Sequence, residues 1–110
     1  MVITTRPLDE LVSVISGEGR LNMVSAPRLR EAVAAAIAGG RPRIVVDLSS
    51  IDFMDSSGLG ALVGCLKTAR QAGGDVRICT PSSQVEMVLQ LSNLDRILTS
   101  YGSPEEAYRA

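Results

Sequence analysis

The chain has 110 residues, of which 45% are hydrophobic, 21% charged and only 3% aromatic, and its net charge is −1 with acidic and basic residues interspersed. This length and composition are typical of a single small globular domain, which we expect to comprise residues 1–110. The even charge distribution disfavours nucleic acid as a partner, because binding a polyanion requires a basic surface.

The longest apolar run, around residues 44–46, is far too short to span a membrane. The first ten residues, MVITTRPLDE, lack the basic-then-apolar order of a signal peptide. We therefore expect a cytoplasmic protein with no membrane partner.

The two cysteines indicate neither a metal site nor a redox pair. Cys65 and Cys79 are fourteen positions apart, and the chain contains no histidine. Zinc-ligand and CxxC spacings are both absent from this pattern. We interpret the two residues as small buried side chains and expect no metal and no cofactor.

The first third of the chain predicts a β-hairpin and then a helix. Residues 2–5 and 11–16 are predicted strands, separated by the turn-like segment RPLDE. After a glycine-rich break at residues 17–22, Ser25 is predicted to cap a helix that has Pro27 in its first turn. Apolar positions then recur at helical spacing: Leu29, Ala32, Val33, Ala36 and Ile37.

The middle of the chain predicts a buried strand followed by a second helix. Residues 43–48, RIVVDL, are apolar at consecutive positions and β-branched, as expected of a strand covered on both faces. Gly73 and Gly74 end the helix that follows. Its apolar stripe is predicted to face the sheet: Leu59, Leu62, Val63, Leu66 and Ala69.

The remaining elements continue this alternation. Residues 76–79 are a predicted strand, and Ser83 with Glu86 predicts a capping box at the start of a third helix. Residues 96–99 are a candidate last strand, and Ser103 is predicted to cap a terminal helix. Strands alternating with helices predict an α/β fold.

The segment FMDSSGLG, residues 53–60, contains polar residues that could carry chemistry, yet it matches no common catalytic motif. A serine hydrolase elbow would need a glycine in place of Met54, and histidine is absent. A phosphate-binding P-loop would need a lysine at the helix start. The spacing of Gly58, Gly60 and Gly64 is GxGxxxG rather than the dinucleotide-binding GxGxxG. None of these three motifs is therefore complete in this segment.

What remains is a helix N-terminus that displays Asp55, Ser56 and Ser57. Unpaired backbone N–H groups and the helix dipole favour negative charge there, so the site would suit a phosphate. Alternatively, Asp55 or Ser56 only caps the helix. The residue types alone leave both interpretations open.

The segment VVDLSSIDFMDSSGLGALVG, residues 45–64, resembles the signature of the STAS domain in bacterial anti-sigma factor antagonists. The resemblance extends to GRLN at residues 19–22, where that family usually has G-E-L-D, to Ala26 and Pro27, and to LSNLDRIL at residues 91–98. It implies a single STAS domain whose mixed β-sheet has about four or five strands flanked by about four helices.

The same resemblance implies a regulatory binding protein that has no catalytic residue and is not an enzyme. The family's phosphorylation site, the serine directly after the aspartate, corresponds to Ser56, within a loop that includes Asp55, Ser57 and Gly58. The unphosphorylated protein would bind an anti-sigma factor that is also a GHKL-type serine kinase. Phosphorylation would release this partner, and a PP2C-type phosphatase would reverse the modification in a partner-switching stress response. The alternative is a non-switching STAS scaffold in a stress-signalling or lipid-transport assembly.

Two groups of residues are candidates for partner binding. Gly60, Ala61 and Gly64 lie opposite the predicted core stripe, with small side chains that would allow close approach of a partner or, alternatively, of a neighbouring helix. Arg20 and Asn22 replace two acidic residues that are typical of the family. This change is either surface variation or an adaptation of a loop beside Ser56.

Overall fold

The computed structural model describes residues 2–108, which form seven strands, four α-helices and a short 3₁₀ helix. The strands are β1 (Ile3–Pro7), β2 (Val12–Gly17), β3 (Gly19–Leu21), β4 (Arg43–Asp47), β5 (Ile51–Met54), β6 (Asp75–Cys79) and β7 (Ser100–Tyr101). The helices are α1 (Ala26–Ala38), α2 (Ser56–Gln71), α3 (Ser83–Leu91) and α4 (Pro104–Ala107), and the 3₁₀ turn is Leu94–Arg96.

The main sheet is mixed and has the strand order β1-β2-β4-β6-β7. The predicted hairpin is confirmed, because β1 and β2 pair antiparallel with Ile3 opposite Gly17. All other neighbours in this sheet pair parallel. Central strand β4 has consecutive buried residues Ile44, Val45 and Val46, as its sequence predicted.

Both faces of the main sheet are covered, but by different elements. Helices α1 and α2 pack on one face, where Ile44 and Val46 join the larger core. On the opposite face, Val45 packs in a smaller cluster with Ala107 of α4. The Tyr108 hydroxyl lies within hydrogen-bond distance of the carbonyl oxygens of Ile44 and Asp75, at 2.9 and 2.8 Å. The last described turn therefore bridges β4 and β6.

A second, two-stranded sheet was not predicted. Strands β3 and β5 pair parallel, with Arg20 opposite Phe53 and Leu21 opposite Met54. The predicted glycine-rich break at residues 17–22 thus contains a strand. At three and four residues, β3 and β5 are too short to show a clear alternating pattern, and their pairing depends on residues about thirty positions apart.

Two predicted boundaries are wrong. Residues 96–99 are not a strand, because the chain makes the 3₁₀ turn there and pairs with β6 only at Ser100 and Tyr101. Helix α3 is capped by Ser82, whose hydroxyl accepts the Val85 N–H at 3.4 Å, so the predicted cap at Ser83 is wrong by one residue. Val85 rather than Glu86 then lies three residues after the cap, so the predicted capping box is wrong as well. The Ser103 cap of α4 is confirmed.

Among residues 2–108, no helix is long and apolar enough to cross a membrane.

Both cysteine side chains are buried, as predicted, and neither forms a disulfide. Burial raises the pKa of the Cys65 thiol from 9.0 to about 11. Burial, reinforced by the carboxylate of Asp47, raises the pKa of Cys79 to about 11 as well. Both thiols therefore stay protonated throughout the neutral range.

We expect neither cysteine of the folded protein to react with Ellman's reagent at pH 8, because the thiolate is the nucleophile and both thiols are protonated and buried. The same assay in guanidinium should titrate two thiols per chain. Reaction of either thiol in the native protein at its unfolded-state rate would contradict this description of the core.

Candidate functional site

The first turn of α2 is capped by Asp55. Its Oδ1 atom accepts the Ser57 N–H at 2.9 Å and the Gly58 N–H at 3.1 Å, while its backbone is extended, as at a helix N-cap. Of the two capping residues considered, Asp55 is thus the cap and Ser56 is not. Ser56 is the first residue of the helix and is exposed.

Strand β3 brings the loop of residues 22–25 beside this turn. The Asp55 N–H donates to the carbonyl oxygen of Leu21 at 3.3 Å, which extends the β3–β5 pairing to the cap residue. Gly58 faces the same carbonyl group. A Cβ atom at Gly58 would overlap with the Leu21 carbonyl oxygen and would lie 2.8 Å from the Leu21 Cγ atom. Glycine is therefore required where α2 touches the end of β3.

Asn22 stabilises the turn that precedes α1 in a similar manner. Its Oδ1 atom accepts the Val24 N–H at 3.0 Å and the Ser25 N–H at 3.2 Å. Ser25 occupies the N-cap position of α1, as predicted, but its side chain makes no cap hydrogen bond. Its buried hydroxyl donates to the Arg20 carbonyl at 2.7 Å and accepts the Asn22 N–H at 2.9 Å.

The two residues that depart from the family pattern, Asn22 and Arg20, therefore make different kinds of contact. Asn22 keeps a side-chain oxygen at the position where an aspartate would supply one, so the turn needs no negative charge. Arg20 is exposed, and its guanidinium carbon lies 5.2 Å from the centroid of the Phe53 ring on the paired strand. Such a cation–π contact contributes about 0.5–1 kcal/mol at an exposed site.

Ala61 does not lie on an exposed face of α2, so its prediction as a docking residue is wrong. Ala61 has no exposed surface and Cys65 has only 2%, because both side chains are part of the larger core, where α2 packs against α1. Small residues allow these two helices to approach closely. The predicted apolar stripe of α2 is therefore rotated relative to the buried face of the helix, because Leu59 and Val63 are only half-buried.

Gly60 and Gly64, by contrast, are exposed, and a Cβ atom at either would meet nothing within 4 Å. Together with Ser56 they are spaced four residues apart, so the three align along one side of α2. We call this line of Ser56, Gly60 and Gly64 the α2 ridge. The structure thus brings two of the predicted docking residues into line with the candidate phosphorylation site.

The sequence reasoning missed two residues that hold the site. Leu21 receives the Asp55 N–H, and the Gln84 side chain of α3 contacts the backbone of Met54. Gln84 belongs to no motif named above, and Leu21 lies in the GRLN segment with no local signal of its contact with Asp55. Both residues act through contacts between distant parts of the chain. Within residues 2–108, no group of His, Cys, Asp or Glu side chains is placed to hold a metal ion.

Comparison with known proteins supports the family suggested by the sequence. The model of the STAS domain family matches residues 4–107, which include every strand and helix except the start of β1. The chain belongs to the STAS domain family. The expected α/β fold is confirmed: a mixed sheet of five strands with four helices, to which the structure adds the small β3–β5 sheet.

Individual relatives carry the name anti-sigma factor antagonist. A Thermotoga maritima protein with this name is 40% identical over 68 residues, which are 62% of this chain and 60% of the relative. A solved structure of a T. maritima protein so named has a TM-score of 0.85 at 30% identity, and the match covers 97% of this chain and 95% of the other. The antagonist SpoIIAA in its unphosphorylated form gives 0.82 at 24% identity, covering 96% and 92%, and supports the fold alone.

The contact between Gly58 and Leu21 predicts opposite effects for two glycine-to-alanine substitutions. Gly58→Ala should destabilise the domain by about 1–3 kcal/mol, because the added methyl group overlaps with backbone atoms. Gly64→Ala, the matched control on the same helix, should stabilise it by about 0.5–1 kcal/mol, because alanine favours a helix interior. Urea denaturation measures the free energy of unfolding of both variants. Equal changes in the two variants would contradict the described contact between Gly58 and Leu21.

Proposed function

We propose that this STAS domain is an anti-sigma factor antagonist in the cytoplasm. In its unphosphorylated form it binds an anti-sigma factor that is also a GHKL-type serine kinase, which frees the sigma factor. Phosphorylation of Ser56 ends this binding, and a PP2C-type phosphatase restores it. The protein is then a substrate and binding partner rather than an enzyme, and it needs no cofactor of its own.

The observation that carries the proposal is the placement of Ser56. Its side chain is exposed at the first position of α2, directly after a residue that already caps the helix. The fold therefore does not use the Ser56 hydroxyl for the cap. Ser57 is half-buried, so it is less accessible to a kinase than Ser56.

Charge explains how a phosphate on Ser56 would prevent binding. The modification adds about −1.5 to −2 charges at neutral pH. It would lie next to the carboxylate of Asp55, which already occupies two N–H donors of the helix N-terminus. Residues 44–66 contain three aspartates and no lysine or arginine. The local sequence therefore offers the phosphate no neutralising side chain.

A partner surface that fits a neutral hydroxyl would have to accommodate a solvated dianion. A loss of about 4 kcal/mol at this contact weakens binding roughly a thousandfold. Because the cap belongs to Asp55, this change requires no rearrangement of α2. We therefore propose a local electrostatic and steric block of binding.

The α2 ridge is the proposed centre of the partner-binding surface, with Arg20 and Asn22 beside it. A glycine inside a helix costs about 0.5–1 kcal/mol relative to alanine. Because nothing in the domain occupies the space above Gly60 and Gly64, the fold itself does not require them. Close approach of a partner backbone would account for both glycines.

Ser56 variants test the switch. Ser56→Ala should bind the anti-sigma factor constitutively and Ser56→Asp should bind it weakly, because only the second places a negative charge at the contact. The partner is identified by mass spectrometry after capture from native lysate on the unmodified domain. Phosphopeptide mapping after treatment with that kinase should place the phosphate on Ser56.

Ser57→Ala is the matched control and should still be phosphorylated. Phosphate on Ser57 or Thr68 instead would contradict the assignment of the switch residue. If Ser56→Ala and Ser56→Asp bind the partner equally well and no phosphate is incorporated, the domain is instead a non-switching scaffold.

The α2 ridge predicts that stability and binding can be separated. Gly60→Arg or Gly64→Arg should leave the melting temperature unchanged or raise it, because the space is open and arginine favours a helix more than glycine does. Either substitution should weaken binding of the captured anti-sigma factor at least tenfold, because it blocks close approach.

Gln71→Arg provides the control for charge. It adds the same side chain to an exposed position about 16 Å beyond Gly60 and about 10 Å beyond Gly64 along α2. If both glycine variants bind the anti-sigma factor as tightly as the Gln71→Arg control does, the α2 ridge is not part of the interface.

A further inference from the structure

The side chain of Gln84 pairs with the backbone of Met54, the last residue of β5. The Met54 N–H donates to Gln84 Oε1 at 2.8 Å, and Gln84 Nε2 donates to the Met54 carbonyl oxygen at 3.1 Å. The two residues are thirty positions apart, and Gln84 lies in the first turn of α3. One carboxamide thus makes both hydrogen bonds that a neighbouring strand would make.

This pairing occupies the edge of β5 that β3 leaves open. Successive residues of a strand direct their backbone groups to opposite edges. The Asp55 N–H points to the Leu21 carbonyl oxygen on β3, so the groups of Met54 point the other way. In the described part of the chain, β5 pairs with β3 alone, and Gln84 takes the place of a third strand.

The chemistry of this contact suits an amide side chain in particular. Met54 is only 1% exposed, so its N–H and carbonyl groups need partners within the protein. Asparagine and glutamine are the side chains that offer a strong donor and a strong acceptor together without charge. A carboxylate would accept the N–H but could not donate to the carbonyl oxygen.

We propose that Gln84 is a positioning residue for the loop of residues 55–58, and hence, given the proposed function, for presentation of the Ser56 hydroxyl. Met54 directly precedes Asp55, whose carboxylate caps α2. The end of β5 is held from one side by Leu21 and from the other by Gln84. With one side released, the cap and the hydroxyl after it sample several orientations.

The variant Gln84→Glu tests this proposal because its effect depends on pH. When protonated, the glutamic acid retains a carbonyl acceptor and gains an O–H donor, so it reproduces both hydrogen bonds. When ionised, it loses the donor and repels the Met54 carbonyl oxygen. Hydrogen bonding to the neutral form raises the pKa of such a carboxyl group.

Amide NMR spectra recorded from pH 4 to pH 8 provide the readout. We expect Gln84→Glu to show a transition at the amides of residues 54–58 that the wild-type protein lacks. Above this transition, hydrogen-exchange protection of the Asp55 and Gly58 amides should fall at least tenfold, because the Met54 carbonyl oxygen has lost its donor and the end of β5 is held from one side only. Below the transition the protection should match wild type. Gln90→Glu, at an exposed position of the same helix, is the control and should show no such transition at residues 54–58.

Two results would overturn the proposal. One is identical shifts and protection at residues 54–58 in the variant and the wild-type protein at pH 8. The other is a set of changes spread equally through α3 and the core, which would indicate a general structural role. This experiment needs no kinase, so it remains decisive if Ser56 of the wild-type protein accepts no phosphate and the proposed function fails.

A phosphorylation assay with the captured kinase provides the functional readout. At pH 8, Gln84→Glu should lower kcat at least fivefold and change KM less than twofold, because the docking surface is intact while the hydroxyl is poorly oriented. Raising the protonated fraction of the glutamic acid by lowering the pH should restore kcat relative to wild type. An unchanged kcat would show that Gln84 does not act on Ser56.

Discussion

The candidate site depends on the parallel pairing of β3 with β5. This small sheet places the ends of two strands, distant in sequence, at one edge of the domain, so that the helices following them begin side by side. The Leu21 carbonyl oxygen serves both elements, since it accepts the Asp55 N–H and packs against Gly58. Without this pairing, the loop of residues 55–58 would lose one of the two contacts that hold the end of β5, the other being Gln84 of α3.

A side-chain oxygen stabilises the turn at the start of each of the two helices, and this leaves the Ser56 hydroxyl available. Asn22 and Asp55 each accept two backbone N–H groups of the turn that follows. Stability at these ends therefore rests on side chains other than Ser56. Asp55 stabilises the helix start while the adjacent Ser56 hydroxyl is not used for the cap, so a change at Ser56 leaves the capping hydrogen bonds in place.

Local patterns in the sequence predicted most of the fold, and a resemblance to a known family predicted the candidate site. The hairpin, β4 and the boundaries of α2 follow from turn residues, β-branched runs and helical spacing, and Ser56 follows from a specific motif. The β3–β5 sheet could not be predicted, because its strands are short and pair across thirty residues. Ala61 was misplaced because α2 contacts both the sheet and α1, and small residues do not reveal which helix face is buried.

The parallel topology also bears on when the site comes into existence. Parallel neighbours require long crossover connections, and such non-local contacts form slowly during folding. Leu21 and Asp55, whose hydrogen bond joins the two turns, are separated by thirty-four positions along the chain, with α1 and β4 between them. An unfolded or half-synthesised chain exposes the same serine without the neighbouring turn. A protein that contacts both turns at once would therefore distinguish the folded domain from an unfolded segment that carries the same motif.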